Sequence, residues 1–249
     1  MIDPAVALGA AAGRAVGSAV GPAGGAASST SSRTALLVGA RGRLGEALLN
    51  ELLAHPGYAR VHVAAAAPIE GSIARLSAVP PQAWPAADDA FVCLQQPGEP
   101  FGRSYYGRDD VFEPADEQSL PDIGGRLARA GIRRVALVAP LAAFQQMSGA
   151  ARTLAGETEW ALVGLPLDTL VVLRPAREAA APPTGSRLQR FVRFYLGQLR
   201  YMLPRGYEPI ASDALARATV RAMREAGAGL TVLGADRVRL LSQRSPPPA

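Results

Sequence analysis

Short runs of consecutive apolar residues punctuate the chain at Ala35–Val38, Ala90–Leu94, Val135–Val138 and Leu170–Leu173, and Arg60–Ala64 and Gly229–Leu233 read as further strands. An unbroken apolar run of this length is what a strand covered on both faces requires. Between the runs, apolar residues recur every three or four positions, the spacing of a helix with one buried face. This spacing predicts helices over Leu44–Leu53, Ile123–Ala130 with Gly131 as the stop, and Asp213–Glu225, with a closing turn over Asp236–Leu241. It predicts another over residues 150–164, with Leu154, Ala161 and Leu162 inward and Glu157 and Glu159 outward. Ile73–Val79 is a further short element. Strands alternating with helices in this rhythm make an α/β domain, a doubly wound parallel sheet with a small C-terminal helical cap, over residues 34–243.

The flanks differ in kind. Residues 1–33 are Ala, Gly and Ser with a few Val, too little apolar area to offset ordering, so a disordered extension is expected. Gly9, Gly13, Gly17, Gly21 and Gly25 recur every four residues, which on a helix would form one smooth face, so a membrane-associated or self-packing helix is the alternative. Residues 244–249 are a Pro-rich tail. Inside the domain, residues 187–203 read as a basic amphipathic helix, with Leu188, Phe191, Phe194, Tyr195, Leu199 and Met202 on one face. A helix capping the domain's own sheet is favoured there over one lying on a membrane. The polar stretch Gln95–Glu117, carrying Tyr105, Tyr106, Asp109 and Asp110, lies past a strand's C-terminal end, where open parallel sheets place ligands.

The candidate binding element directly follows the first apolar run. Gly39, Gly42 and Gly45 stand at three-residue spacing between the strand and its helix, with Arg41, Arg43 and Leu44 among them. Glycine there allows a sharp turn, close approach of a pyrophosphate, and tight seating of helix on strand. The helix N-terminus offers N–H groups and partial positive charge to an anion. Dinucleotide binding is the reading preferred to a plain packing turn. Arg41 and Arg43 suit a 2′-phosphate, or are solvent-exposed loop charges.

Charge and composition narrow the chemistry. The chain carries a net charge of +5, and every basic residue is arginine; it contains no lysine. Alanine and arginine richness points to a G+C-rich, bacterial genome rather than a nucleic-acid surface. Without lysine, a Schiff base, a phosphate-loop lysine and a Tyr-x-x-x-Lys pair are all excluded. Cys93 is the single cysteine, within the apolar run Phe91–Leu94, where it reads as a small apolar filler. His55 and His62 lack the company a metal site needs. A reducing, cytoplasmic setting fits this usage.

Three stretches resemble the atypical short-chain dehydrogenase/reductase family, near its TIP30-like group. They are Gly39-x-x-Gly42-x-x-Gly45 after a strand, Leu170-Val-Val-Leu-Arg-Pro175, and Tyr207-Glu-Pro-Ile-Ala-Ser-Asp-Ala-Leu-Ala-Arg-Ala218. The resemblance covers residues 34–243. It implies a Rossmann fold and an NADP or NAD site at Gly39, Arg41, Gly42, Arg43, Leu44 and Gly45, with NADP slightly preferred. In active relatives a serine orients the carbonyl, a tyrosine donates the proton and a lysine lowers the tyrosine pKa. The matching positions here are Ala139, Ala151 and Ala155. The resemblance therefore implies a catalytically degenerate member whose partner is a nucleotide or a protein. An oxidoreductase with a different proton donor, Tyr105, Tyr106 or Asp109, is the second reading, and a membrane-peripheral accessory protein the third. The stretch after the second strand, Ala64–Ala67, carries neither the acidic residue of NAD binders nor the arginine of NADP binders, and Gln95-Gln96-Pro97 replaces the family's glycine turn.

Overall fold

The computed structural model describes residues 32–69, 73–95, 103–104, 107–141, 153–154, 156–176 and 210–243. Strand β1 (Arg33–Val38) leads into helix α1 (Gly42–Ala54), followed by β2 (Tyr58–Ala64), β3 (Leu76–Val79) and β4 (Asp89–Cys93). A short antiparallel pair, β5 (Arg103–Ser104) and β6 (Gly107–Arg108), precedes a single 3-10 turn at Asp109–Val111. Then come α2 (Leu120–Arg129), β7 (Arg134–Val138), α3 (Glu157–Val163), β8 (Thr169–Leu173), α4 (Ser212–Glu225), β9 (Gly229–Leu233) and α5 (Ala235–Gln243). Residues 1–31 of the expected disordered extension, the amphipathic helix at 187–203, Tyr105, Tyr106 and the Pro-rich tail lie outside the described residues, and Arg33, placed in that extension by the sequence, instead begins β1.

Seven strands form one sheet in the order β3-β2-β1-β4-β7-β8-β9, and every pairing within it is parallel. This is the expected doubly wound architecture. In-register pairing sets Leu37 beside Val63 and Phe91, Phe91 beside Ala136, and Ala136 beside Val171. Successive side chains on a strand point to opposite faces, so that row shares one face while Leu36, Val92 and Leu137 share the other. The first row packs on Leu48 and Leu52 of α1, Met223 of α4 and Leu241 of α5. The second packs on Ile123 and Leu127 of α2 and Leu162 of α3. Burial on both faces is why the central strands read as unbroken apolar runs.

Helix α2 ends where the sequence indicated. Gly131 takes φ 72°, and the Gly131 and Ile132 amides donate back to Ala128 and Leu127. Helix α3 corrects the expectation for 150–164. It begins only at Glu157, because Gly156 at φ 89° departs from helical geometry. Its faces are also rotated from the expected ones. Glu159 is buried and Ala161 exposed, while Leu162 points inward as expected. Burial of Glu159 follows from an ion pair with Arg174 described below.

The two histidines give the domain a defined response to acid. Burial, then the nearby Arg224 and Arg75, lower the His55 pKa; burial and Arg60 lower that of His62. Both rings therefore bind protons more readily in the unfolded chain, so their contribution to stability is full above the unfolded value of about 6.5 and declines as pH falls below it. The urea midpoint is expected to fall between pH 7.5 and 5.5. That fall should be smaller in a His55→Gln/His62→Asn variant, measured side by side with the parent.

Candidate functional site

The chain runs from β1 outward through β2 and β3, then returns to β4 on the other side of β1. Such a reversal opens a crevice at the C-terminal ends of β1 and β4, where doubly wound sheets receive ligands. The glycine turn lies at that point. Gly39 has φ 80° and Gly42 φ 70°, both in the region that favours glycine. A Cβ on Gly39 would sit 2.2 Å from the Cys93 carbonyl oxygen, and one on Gly45 2.3 Å from the Ala40 carbonyl carbon. Gly45 thus lets α1 seat directly on the end of β1, and Leu44 beside it is buried. The first turn of α1 holds no acidic side chain, and its N-cap residue, Arg41, makes no side-chain cap bond. This end of the crevice fits a phosphate.

The other end does not fit an adenosine as it is built. Residues Asp110–Asp116 run as a strap across the C-terminal ends of β2, β1 and β4. Ala66 N–H donates to Val111 O at 2.8 Å and Glu113 N–H to Ala64 O at 2.9 Å, flanking an antiparallel bridge between Ala65 and Phe112. At the far side Gln95 N–H donates to Ala115 O at 2.8 Å. Phe112 and Ala115 are buried, and the methyl of Ala115 lies 3.0 Å from where a Gly39 Cβ would be. The strap therefore occupies the level of the glycine turn itself. Beyond β2, Ala66 and Ala67 offer no charge to a ribose.

Arg41 is committed to this strap. Its Nε donates to Phe112 O at 2.7 Å and its Nη2 to Asp110 O at 3.4 Å. Arg43 is exposed at the start of α1. On the opposite side, Arg126 of α2 pairs with Glu113 at 2.6 Å and with Asp122 at 3.0 Å, donates to Pro81 O at 2.8 Å, and lies 4.2 Å from the Trp84 ring centroid. The second carboxylate oxygen of Glu113 is buried with no hydrogen-bond partner.

The side of the crevice away from β2 is lined by the ends of β7 and β8. Ala139, at the position matching the serine, is buried just past β7, and its amide donates to Leu173 O at 3.0 Å. Ala151 and Ala155, matching the tyrosine and lysine, lie outside the described residues. Arg174 leaves β8 fully buried and grips Glu159 of α3 through both nitrogens, Nη1 to Oε1 at 2.6 Å and Nη2 to Oε2, while Nη2 also donates to Thr153 O at 3.2 Å. Arg174 belongs to the Arg174-Pro175 pair, and nothing local in the sequence points to Glu159 as its partner. A glutamate assigned to an outer face gave no signal of burial.

No family model matches the chain, and no curated protein matches it. Solved structures do. A short-chain dehydrogenase/reductase of Veillonella parvula in complex with NADP shares 15% identity over 78% of this chain and 88% of its own, with a TM-score of 0.44. A UDP-N-acetylglucosamine 4-epimerase of Bacillus cereus shares 12% identity over 84% of each chain, with a TM-score of 0.42. The Bordetella bronchiseptica enzyme WbmH, in complex with NAD+, shares 15% identity over 87% of this chain and 84% of its own, with a TM-score of 0.41. By its own strand order and all-parallel main sheet, the chain has a Rossmann-like α/β fold. Among the described residues no helix is long and apolar enough to cross a membrane, and no group of His, Cys, Asp and Glu is placed to hold a metal ion.

Proposed function

We propose that this protein acts by binding, as a nucleotide-sensing pseudo-oxidoreductase of the atypical short-chain dehydrogenase/reductase kind, near the TIP30-like group. The observation that carries the reading is the buried Ala139 at the end of β7, where a carbonyl-orienting hydroxyl would stand, in a chain with no lysine. A phosphate-receiving glycine turn is kept while the residues of proton transfer are not. That combination supports recognition of a nicotinamide dinucleotide without Ser/Tyr/Lys hydride transfer. Of the two dinucleotides NADP is favoured, because Arg41 and Arg43 both flank the turn and supply guanidinium groups suited to a phosphate. A protein partner would then read the nucleotide state.

Titration of the purified protein with NADPH and NADH, followed by cofactor fluorescence and thermal shift, tests this reading. Binding is expected, with NADPH the tighter, and no NADPH oxidation against a panel of aldehydes, ketones and quinones. Absence of binding by either nucleotide at millimolar concentration would remove the nucleotide part of the proposal. Turnover with any acceptor would remove the pseudo-oxidoreductase part.

A further inference from the structure

The strap and the glycine turn make competing uses of the same space and the same arginine. We infer that residues Asp110–Asp116 form a gate on the dinucleotide seat, held shut by Arg41 and by the Glu113–Arg126 pair, and opened when a ligand phosphate takes Arg41 from the Phe112 carbonyl. This inference rests on the dinucleotide-binding reading above and supplies its regulation.

The argument begins with position. A dinucleotide whose pyrophosphate lies on the Gly39–Gly45 turn must lay its adenosine half over the ends of β1 and β2. Phe112 is bridged to Ala65 at the end of β2, and Ala115 lies against Gly39 at the end of β1. Both are buried, so the seat is filled by the chain itself.

The strap packs Phe112 and Ala115 into the core, but its polar attachments are made elsewhere. Backbone bonds at Ala66, Glu113 and Gln95 attach the strap to strand ends, not to the paired sheet interior. Arg41 satisfies two neutral carbonyls there. A phosphate oxygen is a stronger acceptor for a guanidinium than a neutral carbonyl, since the bond is then charge-assisted. Binding at the turn thus works directly against one latch. At the other latch one Glu113 oxygen is paired with Arg126 and the other is buried without a partner. A buried, half-satisfied carboxylate favours the opened arrangement, in which water reaches it. The closed strap reduces apparent affinity by the fraction of molecules that are open, so weakening the closure must tighten binding.

The test compares the parent with Glu113→Gln and Phe112→Ala, each checked for folding by its melting transition. NADPH and NADH are titrated into all three. Both variants are expected to bind NADPH at least tenfold more tightly than the parent. Hydrogen exchange on the parent gives a second readout that needs no variant. With saturating NADPH, the amides of Ala66, Glu113 and Gln95 are expected to exchange faster, while those of Leu37 and Val61 do not. Binding by the parent with no gain in either folded variant, or slower exchange at the three amides, would overturn the gate and leave dinucleotide binding standing. Absence of binding to the parent and to both variants would overturn the dinucleotide reading and the gate together.

Discussion

Replacing Asp89 by alanine is expected to lower the unfolding free energy by about 3–5 kcal/mol, as loss of one partner from a buried ionic cluster does. Asp89 is fully buried at the start of β4, on the side of the sheet away from the crevice. Its Oδ1 accepts from Arg33 Nη2 and from Arg134 Nε, each at 2.8 Å, and its Oδ2 from the Tyr58 hydroxyl at 2.8 Å. Burial, and then the Asp89 carboxylate, push the Tyr58 phenol far above its ordinary pKa, so it remains a donor throughout the working range of pH. Arg134 also donates to Met223 O at 2.8 Å, which carries the cluster from the sheet to α4. Removing the carboxylate leaves the phenol buried without an acceptor. The two guanidiniums are only partly buried and regain water, which keeps the cost within that range. Asp89→Asn preserves volume and one acceptor and is expected to cost less, about 2 kcal/mol. Urea unfolding at pH 7 measures both, and a cost below about 1 kcal/mol for the alanine variant would place the cluster with surface pairs.

Why this cluster was invisible in the sequence is instructive. Asp88-Asp89 before an apolar run reads as a polar turn, and Asp88 is exposed as that reading requires. Asp89 is the first residue of the strand, and its partners stand 56, 31 and 45 positions away at Arg33, Tyr58 and Arg134. No local pattern joins them. The strands themselves were legible because burial on both faces imposes an unbroken apolar run, and the glycine turn because steric clashes at Gly39 and Gly45 exclude any other residue. Cys93, read as an apolar filler, is buried at the end of β4.

The strap marks the opposite limit. Its sequence, Asp110 through Asp116, mixes acidic and apolar residues without a period, and it follows β4 as the sequence indicated. Beside the Arg41 and Glu113 side-chain contacts, main-chain pairing with Ala64 and Ala66 holds it there, and that pairing leaves no trace in side-chain identity. A strand-like bridge of one residue lacks the length at which alternation becomes detectable. The small residues after β2, whose missing charge counts against a ribose partner, acquire a second explanation. Ala65 and Ala66 are the surface on which the strap lies, and a charged side chain at buried Ala65 would prevent its closure.

Glu159→Ala is expected to destabilise the domain by about 3–5 kcal/mol, because it removes one partner of a buried ion pair and leaves the Arg174 charge buried. Arg174 and Glu159 are each almost wholly buried, and the guanidinium also donates to the Thr153 carbonyl. That cost is a large share of the total stability of a domain, about 5–15 kcal/mol. A Glu159→Leu/Arg174→Met double variant removes both charges and fills similar space, so it is expected to recover most of the loss, as apolar replacement of buried pairs does. The comparison by urea unfolding separates two roles for the pair. If the double variant is as unstable as Glu159→Ala, the guanidinium and its bond to Thr153 matter on their own account. Recovery would show that the pair acts as a register device, fixing α3 against the end of β8. In the resembled family, the segment leading into this helix carries the Tyr-x-x-x-Lys pair, and Ala151 and Ala155 stand at those positions here. On the proposed reading, this ion pair would hold the wall of the crevice in a protein that binds without hydride transfer.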